Sequence, residues 1–196
     1  MNDLKSICVF CGSSEGNDIA ILDAAKNLGS VLAKQEIILV YGAAKIGVMG
    51  AVANGSIING GEVIGVIPDF LKLKEVVHTG LTKLITTSNM HQRKLKMHEL
   101  SDGFITLPGG FGTLEELFEI ITWAQLGLHQ KPIGLLNING FYSDLLNMLN
   151  TMVRTNLLKS ENLRLLIVDD KIEDLLEKMR RFEPKETPKW LNIERT

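Results

Sequence analysis

Short apolar runs rich in valine and isoleucine alternate along the chain with longer segments of helical period. The runs predict strands near Ser6–Phe10, Ile37–Tyr41, Glu62–Ile67, Lys83–Thr86, Gly103–Leu107, Ile133–Leu136 and Leu165–Val168. Several are continuous Val/Ile/Leu runs, which are typical of strands buried on both faces of a parallel sheet. The segments between them predict helices over Asp18–Lys34, Val48–Asn59, Asn89–Leu100, Leu114–Leu126, Phe141–Thr155 and Ile172–Arg181.

This alternation predicts βαβ units with right-handed crossovers, and therefore a doubly wound, Rossmann-like α/β fold with helices flanking a parallel sheet. The length of 196 residues and the hydrophobic content of 45% suit a single domain, which we assign to residues 1–182. Residues 183–196 form a polar C-terminal tail with two prolines, and Trp190 and Leu191 are its candidate anchors.

Charge and composition exclude several classes of partner. The formal net charge of −2 argues against nucleic-acid binding, and no run approaches the ~20 apolar residues that cross a bilayer. The first apolar run, at residues 7–11, is too short for a signal peptide, so we expect a cytoplasmic protein. Cys8 and Cys11 are a single pair and the four histidines lack metal-motif spacing, so we expect no metal site.

Ligands of such sheets bind beyond the carboxyl ends of the strands, and three predicted strand ends carry glycine before a helix. The first ends in Cys11-Gly12-Ser13-Ser14, where backbone N–H groups and hydroxyls would face an anion. A helix cap explains the same residues, because serine is favoured there. The second strand end contains Gly42, Gly47 and Gly50 but is not a Walker A loop. A ligand-binding turn and close packing of Gly47 and Gly50 between helix and sheet explain this pattern equally well.

The third strand end, Pro108-Gly109-Gly110-Phe111-Gly112-Thr113, is the strongest candidate for a phosphate site. Three glycines within four positions allow a ligand to touch the backbone, and the N–H groups of a helix start favour an anion. A capping box between Thr113 and Glu116 is the competing interpretation, but that box leaves the glycines unexplained.

A basic segment, Met90 to Met97, precedes the strand that leads into this third turn. Arg93, Lys94 and Lys96 cannot all point the same way at helical spacing. The spacing is compatible with two arrangements. Either one of the three basic side chains faces the ligand, or all three lie on a helix face exposed to solvent. The planar guanidinium of arginine suits phosphate or carboxylate best.

Together these motifs resemble the LOG ("lonely guy") family of cytokinin riboside 5′-monophosphate phosphoribohydrolases. The resemblance covers roughly residues 5–180 and is most specific in two motifs, Met90-His91-Gln92-Arg93-Lys94 and Pro108 through Glu116. The family often has three glycines where this chain has Gly42-Ala43-Ala44, a change that we expect to narrow the pocket.

The resemblance implies hydrolysis of the N-glycosidic bond of a purine nucleoside 5′-monophosphate, AMP or an N6-modified AMP, by a homodimer without cofactor or metal. It implies that Arg93 and Glu116 are the catalytic pair. The substrate-binding residues that we carry over are Ser13, Gly42, Gly47, Met90, Lys94, Pro108, Gly109, Gly110, Gly112 and Thr113.

Two other functions compete with this hydrolase. Relatives of the family have been labelled lysine decarboxylases, which would require pyridoxal phosphate on a lysine such as Lys45 or Lys94. A non-catalytic protein that binds or senses a nucleotide would use the same fold. The pairing of Arg93 with Glu116 favours the hydrolase, because a carboxylate near a phosphate opposes simple anion binding.

Overall fold

Seven parallel strands form one sheet in the computed structural model, which describes residues 2–72 and 77–183. The strands are β1 (Ser6–Phe10), β2 (Ile38–Tyr41), β3 (Val63–Pro68), β4 (Lys83–Thr87), β5 (Gly103–Thr106), β6 (Ile133–Leu136) and β7 (Leu166–Asp169). Every predicted strand is confirmed to within one residue at each end. The doubly wound Rossmann-like α/β fold is thereby confirmed.

The connections carry helices, as predicted. They are α1 (Ile19–Lys34), α2 (Gly47–Ile58), α3 (Asp69–Lys72), α4 (Met90–Glu99), α5 (Phe111–Gln125), α6 (Ser143–Arg154), α7 (Ser160–Leu163) and α8 (Ile172–Arg180). The helices α3 and α7 and a 3₁₀ turn at Ile138–Gly140 are not predicted from the sequence, because elements this short contain too few residues to show a period. Among the described residues, no helix is long and apolar enough to span a membrane.

Side chains alternate between two apolar layers, one on each face of the sheet. Along β1, Ile7 and Val9 pack with α1, α2 and α8, whereas Cys8 and Phe10 pack with α4, α5 and α6. Both faces of the central strands are therefore buried, which explains their uninterrupted apolar sequences. The buried Cys8 and Cys11 have free thiols, in agreement with a packing role.

The order of the strands creates the crevice in which a ligand can bind. The sheet runs β4-β3-β2-β1-β5-β6-β7, so the chain leaves β1 toward one edge and returns at β5 to build the other. The segments that follow β1 and β5 consequently diverge in opposite directions. The gap between them lies at the carboxyl ends of the strands, the usual ligand position in open α/β sheets.

The start of α5 differs from the prediction in a way that concerns the site. The helix begins at Phe111, three residues earlier than predicted, and Gly110 is its N-cap. Thr113 and Glu116 are thus the third and sixth residues of the helix. The capping-box interpretation is wrong, because Thr113 lies inside the helix and not at its cap. The tail anchors Trp190 and Leu191 lie outside the described residues, and the division at residue 182 stays a prediction.

A histidine pair is buried in the layer beneath α4 and α5. The His98 ring stacks on Phe104 with centroids 5.8 Å apart and lies 5.1 Å from the ring of His129. Within the described part of the chain, neither nitrogen of His98 has a hydrogen-bond partner. Burial lowers the pKa of His98 to about 3 and that of His129 to about 4.

We expect these histidines to make the fold sensitive to acid. In the unfolded chain a histidine takes up a proton below about pH 6.5, whereas the folded state keeps both rings neutral down to pH 4, so stability falls between these values. His98→Phe should remove up to about 2 kcal/mol of the loss in unfolding free energy between pH 7.5 and 5. Denaturant unfolding at both pH values measures this, with the exposed His91→Gln as the control. An equal pH dependence in the wild type and His98→Phe would contradict the prediction.

Candidate active site

A cavity of about 540 Å³ occupies the crevice between the ends of β1 and β5. The structure brings together nine of the twelve residues predicted for the site. They are Ser13, Met90, Arg93, Pro108, Gly109, Gly110, Gly112, Thr113 and Glu116. Gly42, Gly47 and Lys94 are not among the residues that line the cavity.

The first turn of α5 presents free backbone N–H groups to this cavity. Its N-cap, Gly110, provides no side-chain hydrogen bond, so the N–H groups of the first turn have no partner from a cap. A Cβ atom added at Gly110 or Gly112 would meet no atom of the described residues within 4 Å, so both glycines open onto space there. Together with the positive end of the helix dipole, this turn is suited to bind a phosphate.

Gly109 has a different role, because protein atoms fill the space beside it. A Cβ atom there would lie 2.1 Å from Oγ1 of Thr113 and 2.8 Å from the backbone nitrogen of Gly12. The same turn is joined to the end of β1, since Gly12 donates a backbone hydrogen bond of 3.2 Å to Pro108. The two strand ends therefore form one continuous wall of the cavity.

The segment around Ser13 is held in place by the start of α2. Gly47 has a φ of 65°, and a Cβ atom there would lie 2.3 Å from the Ser13 carbonyl. Val48 and Met49 donate backbone hydrogen bonds to the carbonyls of Ser14 and Gly12. The first N–H groups of α2 are thus used within the protein, which leaves Gly47 a supporting role behind the cavity wall.

Arg93 is buried at the carboxyl ends of β2 and β3. Its Nε donates to the Val66 carbonyl at 3.0 Å, and its Nη2 donates to the Gly42 carbonyl at 3.4 Å. The remaining nitrogen, Nη1, lies 3.7 Å from Oε1 of Glu116 and 3.9 Å from Sδ of Met90. Arg93 is only 5% exposed, so its position is fixed by the strand ends before any ligand arrives.

Glu116 lies beside this arginine and is 6% exposed. Burial raises the pKa of its carboxyl group to about 7, although the neighbouring Arg93 acts in the opposite direction. Burial prevails because one guanidinium at 3.7 Å replaces only part of the lost hydration. The group therefore titrates near neutral pH, in the range in which a carboxyl group can take part in proton transfer.

Gly42 makes room for Arg93 and not for the ligand. A Cβ atom at Gly42 would lie 2.2 Å from Nη2 of Arg93. The neighbouring Ala43 and Ala44 are buried and do not line the cavity, so the expectation that their methyl groups narrow the pocket is wrong. Ala43 has a φ of 70° and its methyl group faces Gly65 on β3.

Comparison with known proteins identifies the family. A family model described as "Possible lysine decarboxylase" matches residues 49–179. The chain is 43% identical over 181 residues to cytokinin riboside 5′-monophosphate phosphoribohydrolase LOG1 of Arabidopsis thaliana, covering 92% of this chain and 85% of LOG1. It is 44% identical over 178 residues to LOG4 of the same plant, covering 91% and 83%. The chain belongs to the LOG phosphoribohydrolase family.

A solved structure supports the fold independently. The molybdenum cofactor binding protein from Rippkaea orientalis superposes with a TM-score of 0.67 at 24% identity, over 90% of this chain and 95% of that one. At this identity the likeness shows the fold alone. The fold by itself therefore does not identify a ligand for this chain.

Lys94 of the LOG motif Met-His-x-Arg-Lys does not line the cavity, although its partner Glu115 does. Its Nζ lies 2.5 Å from Oε1 of Glu115 and 2.9 Å from Oε1 of Glu119. These two ion pairs connect α4 to α5 beside the link between Arg93 and Glu116. The geometry does not bring Lys94 together with the other residues carried over from the family as substrate-binding.

Apolar side chains that were not predicted as site residues complete the cavity. They are Ile21, Val48, Met49, Phe111 and Phe141. Phe111 is 94% exposed. Its place between two glycines of the LOG turn was the one feature of the sequence that could have identified it as a cavity residue. Tyr142 was also missed; its buried phenol donates a hydrogen bond of 2.7 Å to the Leu107 carbonyl, which holds the end of β5 in front of Pro108.

Two glycine substitutions distinguish a glycine that makes room for a protein side chain from one that makes room for a ligand. Gly42→Ala should lower the unfolding free energy by about 1–3 kcal/mol, because the new methyl group overlaps the buried Arg93. Gly112→Ala should raise it by up to about 1 kcal/mol, because alanine is the better helix former and its methyl group meets no protein atom. Thermal or denaturant unfolding measures both. A stable Gly42→Ala protein would contradict the assigned position of Arg93.

Proposed function

We propose that this protein hydrolyses the N-glycosidic bond of purine nucleoside 5′-monophosphates, giving the free base and ribose 5-phosphate. The observation that carries the proposal is the position of Glu116 on the same helix whose first turn opens onto the cavity. Glu116 lies four positions after Gly112 in the helix, a rise of about 6 Å that suits a ribose placed between phosphate and carboxylate.

The reaction develops positive charge at C1′ as the bond to the base breaks. An ionised Glu116 stabilises that charge and accepts a proton from the attacking water, whose oxygen bonds to C1′. The departing base takes up a proton in the same overall exchange. Arg93 faces Glu116 through Nη1 only, so we assign it to orienting this carboxylate and keeping it ionised, with the α5 turn holding the phosphate.

The apolar part of the cavity favours a substrate with an apolar group on the base. Met49, Met90 and Phe111 line the same cavity as Glu116. The family relatives are named for cytokinin riboside 5′-monophosphates. We therefore propose N6-modified AMP as the preferred substrate and AMP as the simpler alternative.

Turnover of both nucleotides tests the proposal. Purified protein should release free base and ribose 5-phosphate from AMP or N6-isopentenyl-AMP, and Glu116→Gln should reduce release by at least about a hundredfold. Gly112→Ala should bind the nucleotide more weakly while remaining folded, because its methyl group enters the phosphate position. Tight binding without release would favour a non-catalytic nucleotide-binding protein. Equal release by the wild type and Glu116→Gln would contradict the role of Glu116.

The raised pKa of Glu116 predicts a pH dependence of known sign. Activity should rise as the carboxyl group ionises, with a midpoint near pH 7. Stability should respond in the opposite sense, because between about pH 4.5 and 7 the unfolded chain loses this proton and the folded chain keeps it. Relative to Glu116→Gln, the wild type should lose up to about 3 kcal/mol of stability over that range. A difference that does not change with pH would contradict the burial of an ionisable carboxyl group.

A pyridoxal phosphate enzyme is the weaker candidate. Among the described residues, no lysine lines the cavity. Lys94 is held by two glutamates, and hydrogen bonds to them raise its pKa against the effect of burial. A Schiff-base lysine requires the opposite environment. Visible absorbance after mixing with pyridoxal phosphate would be the sign of that alternative.

The homodimer and the cytoplasmic location remain proposals that rest on the family resemblance and on the N-terminal sequence. The chain has a mass of 21.7 kDa. Light scattering that gives the mass of one chain at micromolar concentration would contradict the homodimer.

A further inference from the structure

Lys94 and Arg93, adjacent on α4, hold three glutamates of α5. Nζ of Lys94 contacts Glu115 at 2.5 Å and Glu119 at 2.9 Å, and Nη1 of Arg93 lies 3.7 Å from the carboxylate of Glu116. The three glutamates lie within little more than one helical turn. The side chains of Lys94 and Glu119 are 15% and 23% exposed, so this pair is better shielded from solvent than an ordinary surface pair, whereas Glu115 is 54% exposed.

These contacts give Lys94 a different environment from that of its neighbour Lys96. Lys96 is more exposed, and within residues 2–72 and 77–183 its one ion pair is with Glu99 of its own helix. Lys94 bridges two helices, and both of its partners flank the proposed catalytic carboxylate in sequence. The ammonium group of Lys94 has three N–H donors and these two ion pairs use two of them, so at most one donor is left for a substrate.

We propose that Lys94 is a positioning residue that clamps the start of α5 against α4 and neutralises Glu115 and Glu119, so that Glu116 faces Arg93 in its ionised form. The inference rests on the proposed function, in which Glu116 acts at the ribose. It replaces the assignment of Lys94 to substrate binding with a role that operates through Glu116.

The charges around Glu116 determine in which direction loss of Lys94 should move the pKa of its carboxyl group. The ionisable groups that face Glu116 are Arg93 and Lys94 on α4, Glu115 and Glu119 on α5, and Cys8 and Cys11 from β1 and its end. Burial raises the pKa of both thiols, so they remain neutral. Lys94 favours the ionised form of Glu116, whereas the two flanking glutamates oppose it. Without Lys94, Arg93 alone would oppose the effect of these two carboxylates on the pKa of Glu116.

Lys94→Gln is the first test. The midpoint of the acid limb of kcat should move up by about half a pH unit. At pH 8, kcat should fall about tenfold through misplacement of Glu116, with KM for the nucleotide changed less than about twofold. Lys94→Arg should restore most of kcat because it retains the charge. Lys96→Gln makes the same change of charge on the same helix and should leave the midpoint unmoved.

Glu119→Gln supplies the opposite sign. It should move the midpoint down, and the double variant Lys94→Gln/Glu119→Gln should lie between the two single variants. A Lys94→Gln protein with raised KM and an unmoved midpoint would overturn the proposal in favour of a substrate contact. Shifts of the same sign in Lys94→Gln and Glu119→Gln would overturn it in favour of a purely structural link.

A readout without turnover separates this inference from the proposed function. The pH dependence of the stability change caused by Glu116→Gln reports the ionisation of Glu116 even in a protein that hydrolyses no nucleotide. Measured in the wild-type and Lys94→Gln backgrounds, it should show the same upward shift of the midpoint. An unchanged pH dependence would overturn the inference whether or not the hydrolase assignment holds.

Discussion

The site depends on the burial of one guanidinium at the ends of two strands. Carbonyl groups of Val66 and Gly42 accept hydrogen bonds from Arg93, and only a glycine at position 42 leaves space for Nη2. An unpaired charge in this position would be strongly destabilising. The carbonyl groups at the carboxyl ends of parallel strands compensate for that cost, so the sheet itself fixes the arginine.

Glu116 is compensated less completely than Arg93, and that asymmetry suits the proposed chemistry. Its oxygen has the guanidinium at 3.7 Å, and burial keeps the pKa of the carboxyl group near 7. A carboxylate that is poorly solvated in the resting protein gains most when positive charge develops beside it at C1′. Burying this carboxyl group destabilises the fold, and the apolar side chains buried on both faces of the sheet offset that cost. Such a loss of stability is common at functional sites.

The sequence predicts the sheet well and the site in part, for different physical reasons. Strands buried on both faces need continuous apolar runs, and these place each strand to within one residue. The predicted start of α5 lies three residues after the true start, because the two glycines beside Phe111 are poor helix formers. Thr113 and Glu116 also have the spacing of a capping box, which suggests a later start. The direction of Lys94 depends on which carboxylates α5 brings near, and no pattern within α4 contains that information.

Glycines in similar motifs perform two opposite tasks in this protein. Gly110 and Gly112 leave space that no protein atom fills, whereas Gly42 and Gly47 leave space that Arg93 and the Ser13 backbone fill. Ala43 shows why the difference matters: it departs from the family pattern in a site motif, yet its methyl group faces Gly65 and not the cavity. A substitution at Gly42 or Gly47 therefore disturbs the residues that support the catalytic pair. A substitution at Gly110 or Gly112 reaches the ligand directly.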